Sequence, residues 1–230
     1  MKRIIALIML AGCLLLTACS AVSIGRIGAS DGPTAIYVSE KEENIKKIDI
    51  DKYFKDNYVD ERRLPVLDIH IDNPFVSDDR TLILDDSIEN SLELMVYEYY
   101  RNRMSGNYSE VKNSVTENLR ITTENEEKQF KEGLYYNKVI LDEIDVLDKD
   151  DLDEISSKNK QNIVKLLSEL NMTEFAIVEV DKTVKLNQKY LSVGPQIGDG
   201  EVTRYYLLGK SGDTYKIAEV FWEGFIFIDD

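Results

Sequence analysis

Apolar residues in the middle of the chain recur at the spacing of an α-helix. The clearest run has intervals of four, three, one and three and consists of Ile88, Leu92, Met95, Val96 and Tyr99. This spacing predicts one helix, which Asp86 or Ser87 would cap and Ser105-Gly106 would end. Weaker helical patterns predict three further helices over Tyr108–Leu119, Glu124–Lys131 and Asn159–Leu170.

Alternation of apolar and polar residues predicts strands, mostly in the second half of the chain. The alternating segments there are Tyr135–Leu147, Glu174–Leu186, Val202–Leu208 and Thr214–Trp222. The first of them slips out of phase near Asp142, and the last two flank a turn at Gly209–Asp213 that predicts a hairpin. Shorter strands are predicted within Thr34–Val38 and Pro65–Ile71.

The order of these elements predicts the fold class. Three helices precede a long strand, a helix and three more strands, so helices and strands are grouped rather than strictly alternating. Such grouping is typical of an α+β fold, and we expect the N-terminal helices to pack on a bent antiparallel sheet.

Composition and charge exclude several classes of function. The chain has 230 residues, of which 43% are hydrophobic, so a sizeable core can form. It has 43 Asp and Glu against 28 Lys and Arg, a formal net charge of −15. This charge repels phosphate backbones and anionic lipids, which argues against a nucleic-acid partner. One His and two Cys leave little material for histidine catalysis or a zinc site.

The first residues are typical of a secretory signal. Met1-Lys2-Arg3 is a basic start, and Ile4–Leu16 carries no charge. Thirteen helical residues span about 20 Å, which is short of the roughly 30 Å of a bilayer's hydrocarbon core. The length and flanks therefore predict a cleaved signal peptide rather than a membrane-spanning helix.

The end of this segment resembles the processing site of bacterial lipoproteins. Leu16-Thr17-Ala18-Cys19 matches the lipobox pattern of small residues before a Cys. The resemblance implies that Cys19 receives a diacylglyceryl group, that residues 1–18 are removed, and that the protein is anchored on the extracytoplasmic face of the cell membrane. A second match ends at Cys13, but its apolar region would be shorter than the roughly 7 residues that a signal needs.

Residues 23–38 carry a further resemblance. The stretch from Ser23 to Val38 is similar to a glycine-rich segment of the beta subunit of sodium-translocating decarboxylases, in which the Asp is associated with the sodium path. The corresponding residue is Asp31. No later segment approaches the roughly 18 uncharged apolar residues of a membrane span. We therefore interpret the stretch as a tether and turn, and a fragment related to that subunit stays a remote alternative.

From Ser87 to Trp222 the order of elements resembles the nuclear transport factor 2-like, or cystatin-like, cone. In that family a bent sheet wraps round a long helix, often around a ligand pocket, and several small Gram-positive lipoproteins of unknown role carry such domains.

The predicted organisation of the chain has four parts. They are a signal peptide at 1–18, a tether at 19–33, a polar extension with short strands at 34–84, and an α+β domain at 85–230.

Two features of the sequence suggest a catalytic or ligand-binding role, but each has a simpler structural interpretation. His70 is the single imidazole and lies in a polar strand, so we expect a surface or strand-filling role. Gly209-Lys210-Ser211 resembles the end of a phosphate-binding loop, but the leading glycine is replaced by Arg204, so a hairpin tip is the better interpretation. We predict no catalytic, cofactor-binding or metal-binding residues, and we expect the protein not to be an enzyme.

Two larger sets leave alternatives open. Acidic residues from Asp142 to Glu154 could attract Ca²⁺, although an EF-hand loop starting at Asp148 fails at its fifth position, Leu152. A solvated loop is the preferred interpretation, with weak cation binding as the alternative.

The aromatic residues could form ordinary core or line a ligand pocket. They are Tyr97, Tyr99, Tyr100, Tyr135, Tyr136, Tyr205, Tyr206, Phe221 and Trp222.

These observations favour a membrane-anchored extracytoplasmic lipoprotein with a non-enzymatic binding or interaction domain. Its partners would be the membrane, through the lipid, and a protein or another component of the cell envelope. The alternative is a small-molecule-binding or weakly enzymatic cone domain.

Overall fold

The computed structural model describes residues 48–195, 198–222 and 226–227. Several predicted features lie outside these residues: the signal peptide, Cys19, the tether, the stretch 23–38 and the strand within Thr34–Val38.

A six-stranded sheet forms the centre of the described structure. Its strands are β1 (Phe75–Ser77), β2 (Arg80–Leu84), β3 (Tyr136–Val146), β4 (Phe175–Leu186), β5 (Gly200–Ser211) and β6 (Thr214–Trp222). They lie side by side in chain order, and every neighbouring pair is antiparallel except β2–β3. The prediction of an antiparallel sheet is therefore wrong at one pair, and the sheet is mixed. A long helical crossover separates β2 from β3 and allows the two strands to run in the same direction.

Within the described ranges, six α-helices accompany the sheet. They are α1 (Ile50–Asn57), α2 (Ser91–Ser105), α3 (Tyr108–Ser114), α4 (Glu117–Lys131), α5 (Ser157–Glu169) and α6 (Gln188–Ser192). Short 3₁₀ turns occupy Glu61–Arg63 and Asp151–Glu154. The predicted α+β fold class is confirmed, whereas the likeness to a cone stays a prediction.

Helices cover both faces of the sheet, so the described residues form two large cores, with a small third cluster around Leu186 and Tyr190. The alternation of β4 separates them: Ala176 and Val178 face a first core beneath α2–α4, whereas Phe175 and Ile177 face a second core beneath α1 and α5. Ile226, near the C-terminus, is buried in the second core. The architecture is therefore three layers, with α2–α4 forming the crossover between β2 and β3.

The predicted long helix is present but begins later than expected. Asn90 caps α2, because its side-chain oxygen accepts hydrogen bonds from the backbone N–H groups of Leu92 and Glu93, and Glu93 in turn accepts from the Asn90 backbone. Ile88 lies outside the helix and pairs with Ile69 in an isolated bridge. The helix ends at Gly106, as predicted, with a left-handed backbone (φ 77°).

The predicted helix over Tyr108–Leu119 is divided in the structure. Val115 forms a bridge with Ile217 of β6, and the Thr116 N–H donates to the Ile217 carbonyl oxygen at 3.0 Å. The break between α3 and α4 therefore covers part of the sheet edge at β6. The predicted phase slip in β3 is confirmed, since the pairing with β4 shifts between Leu141 and Glu143.

The predicted polar extension at 34–84 does not stand apart from the domain in its described part. β2 pairs with β3 inside the sheet, and Phe54 of α1 lies in the second core. The predicted strand at Pro65–Ile71 is reduced to the single bridge at Ile69. Sequence patterns missed these contacts because the segments are short and their partners lie far along the chain.

Candidate functional site

A small cavity opens where β2 and β3 meet α2 and α4. Two arginines and one glutamate line it, namely Arg80, Arg103 and Glu126. The aromatic lining consists of Tyr100, Tyr108, Phe130, Tyr135, Tyr136 and Tyr190. Its water-accessible volume is about 30 Å³. A cavity needs roughly 10–15 Å³ of water-accessible volume to hold one water molecule, so this cavity has room for about two.

Arg80 is held firmly at this cavity and is only 6% exposed. Its Nε donates to the Ser77 carbonyl oxygen at 3.1 Å, and its Nη2 donates to Asp78 Oδ2 at 2.7 Å. Nη2 also donates to Ser77 Oγ at 3.2 Å. The guanidinium carbon lies 4.5 Å from the centre of the Phe130 ring and 5.3 Å from that of Tyr135, which are distances typical of cation–π contacts.

The turn between β1 and β2 places this arginine. Ser77 pairs with Arg80 across a two-residue turn, Asp78–Asp79, in which Asp78 has a positive φ of 54°. Asp tolerates this left-handed conformation better than most residues. The Tyr135 hydroxyl donates to Asp79 Oδ1 at 3.0 Å and connects the turn to the residue before β3.

A buried ion pair forms a second part of the cavity lining. Arg103 of α2 places its Nε 3.1 Å from Glu126 Oε2 of α4, and the two side chains are 8% and 5% exposed. The Arg103 guanidinium also lies 5.3 Å from the centre of the Tyr99 ring and 6.0 Å from that of Tyr100. This pair connects two helices of the same layer at a place where water is largely excluded.

Cations also lie deeper on the same side of the sheet. Lys182 of β4 is 2% exposed, and its Nζ lies 5.0 Å from the centre of the Tyr100 ring. The Tyr100 hydroxyl shares a hydrogen bond with that of Tyr206. Arg204 of β5 is also 2% exposed and lies 3.2 Å from the centre of the Trp222 ring. The face of the sheet beneath α2–α4 is thus rich in buried positive charge, although the whole chain is acidic.

Apart from the Glu126 carboxylate, which is paired with Arg103, the charged and phenolic groups of the cavity are hydrogen-bond donors. A guanidinium group stays protonated in proteins. Burial, followed by the Glu126 carboxylate, raises the pKa of Tyr108 well above its usual range, so its phenol is neutral at neutral pH. This chemistry suits the binding of an anion better than proton transfer.

The structure places the other sequence candidates away from the cavity. His70 is exposed, with Nε2 3.0 Å from Asp68 Oδ1. Gly209 lies inside β5 rather than in a turn, because the hairpin turn is the tighter pair Gly212–Asp213. There the Lys210 Nζ donates to Glu174 Oε2 at 3.1 Å.

The acidic residues from 142 to 154 are spread over β3, a turn and a 3₁₀ turn. Among the described residues, no group of three or more His, Cys, Asp or Glu has the arrangement of a metal site. Asp145 is unusual, since loss of hydration around its carboxyl and then the neighbouring Glu143 carboxyl raise its pKa to about 7, although the residue lies on an exposed position of β3.

The aromatic residues divide between the two roles considered from the sequence. Six of them are buried core residues, namely Tyr97, Tyr99, Tyr100, Tyr205, Tyr206 and Phe221. Tyr100, Tyr135 and Tyr136 line the cavity, so one of them serves in both places. Sequence reasoning missed Arg80, Arg103 and Glu126 as partners of these rings. Glu126 does follow Leu119 and Thr123 at intervals of seven and three, which places a charged residue on a buried helix face.

No protein-family model, curated protein or solved structure matches the chain. In the part of the chain that the structure describes, no helix is both long and apolar enough to cross a bilayer.

Proposed function

We propose that this protein is a lipid-anchored domain on the extracytoplasmic face of the cell membrane and that it acts by binding rather than by catalysis. The anchor is supported by the sequence Leu16-Thr17-Ala18-Cys19, which follows a basic start and an uncharged apolar run. A single acyl chain holds a protein to a bilayer only marginally, whereas the two chains of a diacylglyceryl group hold it stably.

The cavity is the observation that supports a binding role. Its two guanidiniums present several fixed donors, its one carboxylate, Glu126, is paired with Arg103, and its walls are largely aromatic. Such a set recognises shape and negative charge and needs no change of protonation at neutral pH. The acidic surface argues against nucleic acid, so the partner is a protein or another component of the cell envelope.

Binding of a small molecule is the second candidate, and the cavity itself favours it. The water-accessible volume of about 30 Å³ accommodates a small head group rather than a whole drug-sized ligand, since pockets for such ligands have roughly 300–1,000 Å³. The remainder of a larger ligand would lie outside the opening.

Substitution of the two cysteines tests the anchor. We expect the wild-type chain and Cys13→Ala to lose residues 1–18 and to partition into detergent, because both keep Cys19. Cys19→Ala should keep its signal segment and carry no acyl mass, and globomycin should block processing of the wild type. Unchanged mass and partition in Cys19→Ala would refute the anchor.

A further inference from the structure

Arg80 has donor groups that the described structure does not use. Its Nε and Nη2 are engaged by Ser77 and Asp78, whereas Nη1 makes no hydrogen bond to any described residue. Nη1 and Nη2 together form the fork that donates hydrogen bonds to both oxygens of a carboxylate. One half of this fork is therefore open, and the other half holds a carboxylate of the chain itself.

Asp78 is poorly placed to be a permanent partner. Its side chain is 83% exposed, while that of Arg80 is 7% exposed. An exposed carboxylate can leave an ion pair at little cost because water solvates it at once. The buried guanidinium cannot follow, since Phe130 and Tyr135 flank it.

The free space in the cavity matches the size of a carboxylate group. About 30 Å³ of water-accessible volume corresponds to roughly two water positions, and the two oxygens of one carboxylate need about that space. The neighbouring walls are aromatic rings, which suit a short apolar portion next to the carboxylate.

We propose that Arg80 is the anchor of a binding site for a small monocarboxylate with a short apolar portion, and that Asp78 occupies the site in its absence. The incoming carboxylate accepts hydrogen bonds from Nη1 and Nη2 and displaces Asp78 into solvent. This inference deepens the proposed binding role and does not depend on the lipid anchor.

Substitution of Asp78 gives a test in which binding should improve. Asp78→Asn removes the competing charge, and Asn tolerates the left-handed backbone at φ 54° about as well as Asp does. Because the Asp78 side chain is 83% exposed, water weakens its pairing with Arg80, so we expect propionate to bind roughly two- to fivefold more tightly. Asp213→Asn is the matched control, because it makes the same change of net charge in the exposed turn between β5 and β6.

The measurement is saturation-transfer NMR on the full chain purified in detergent, titrated with propionate, propionamide or inorganic phosphate. We expect saturable binding of propionate alone, tighter binding in Asp78→Asn, and the wild-type affinity in Asp213→Asn. Arg80→Gln should abolish binding if the variant folds. Equal binding of propionamide, tighter binding of phosphate, or an unchanged or weaker affinity in Asp78→Asn would overturn the proposal. Detergent partition of the same sample reports on the anchor separately.

Discussion

The Arg103–Glu126 pair offers a strong test of the packing between α2 and α4. Glu126→Gln keeps the size of the side chain and one acceptor oxygen but removes the charge opposite Arg103. Because the two side chains are only 8% and 5% exposed, the guanidinium would stay buried and lose the compensating charge of Glu126. Breaking a buried pair in this way costs roughly 3–5 kcal/mol. The acceptor that remains places the expected loss near 3 kcal/mol.

A second Arg–Glu pair on α2 supplies the control. Arg101 Nη1 lies 3.1 Å from Glu98 Oε1, the same distance as in the buried pair, but these side chains are 48% and 41% exposed. Glu and Gln have nearly equal helix propensity, so Glu98→Gln isolates the effect of an exposed charge. Its expected cost is at most about 1 kcal/mol.

Reversible urea unfolding followed by circular dichroism gives both free energies of unfolding, and a thermal scan gives the midpoints. For a domain of this size, each kcal/mol lowers the melting temperature by roughly 2–4 °C. We therefore expect Glu126→Gln to melt about 6–12 °C below the wild type and Glu98→Gln to stay within about 4 °C. Equal losses in the two variants would refute the burial of the Arg103–Glu126 pair.

Two further predictions concern the sheet. A Cβ on residue 209 would overlap the Met172 sulfur and lie 3.1 Å from Leu167 Cδ2, so Gly209→Ala should cost about 1–3 kcal/mol in urea unfolding and less in a Met172→Ala background. An equal cost in both backgrounds would contradict this contact. Asp145 has a raised pKa of about 7, so the free energy of unfolding should fall as the pH rises from about 4 to about 7. Asp145→Asn should flatten that fall, and an unaltered pH profile would count against it.

Local patterns predicted the elements whose burial is regular. β4 alternates between two buried environments, and the phase slip near Asp142 marks a real shift of register. The start of α2 was misplaced because Ile88 fits the apolar stripe of the helix, although it pairs with Ile69 instead. The capping box of Asn90 and Glu93 was the better signal, since it satisfies backbone donors directly.

Elements that pack against residues far away along the chain show only weak patterns in the sequence. α1 has one buried residue, Phe54, and β1 has three residues in all.

The sequence patterns also failed to indicate the charged residues that line the cavity. Arg and Glu are normally solvated, so a pattern of apolar residues does not include them. Arg103 follows Tyr99 by one helical turn, and a charged residue at such a buried position is the signal that could have pointed to the site.

The intact mass of the protein purified from the membranes of its own host tests the lipid anchor most directly. We predict a chain that begins at Cys19, lacks residues 1–18 and carries the added mass of a diacylglyceryl group on that cysteine. A chain that begins at Met1 and carries no acyl mass on Cys19 or Cys13 would contradict the anchor and the location inferred from it.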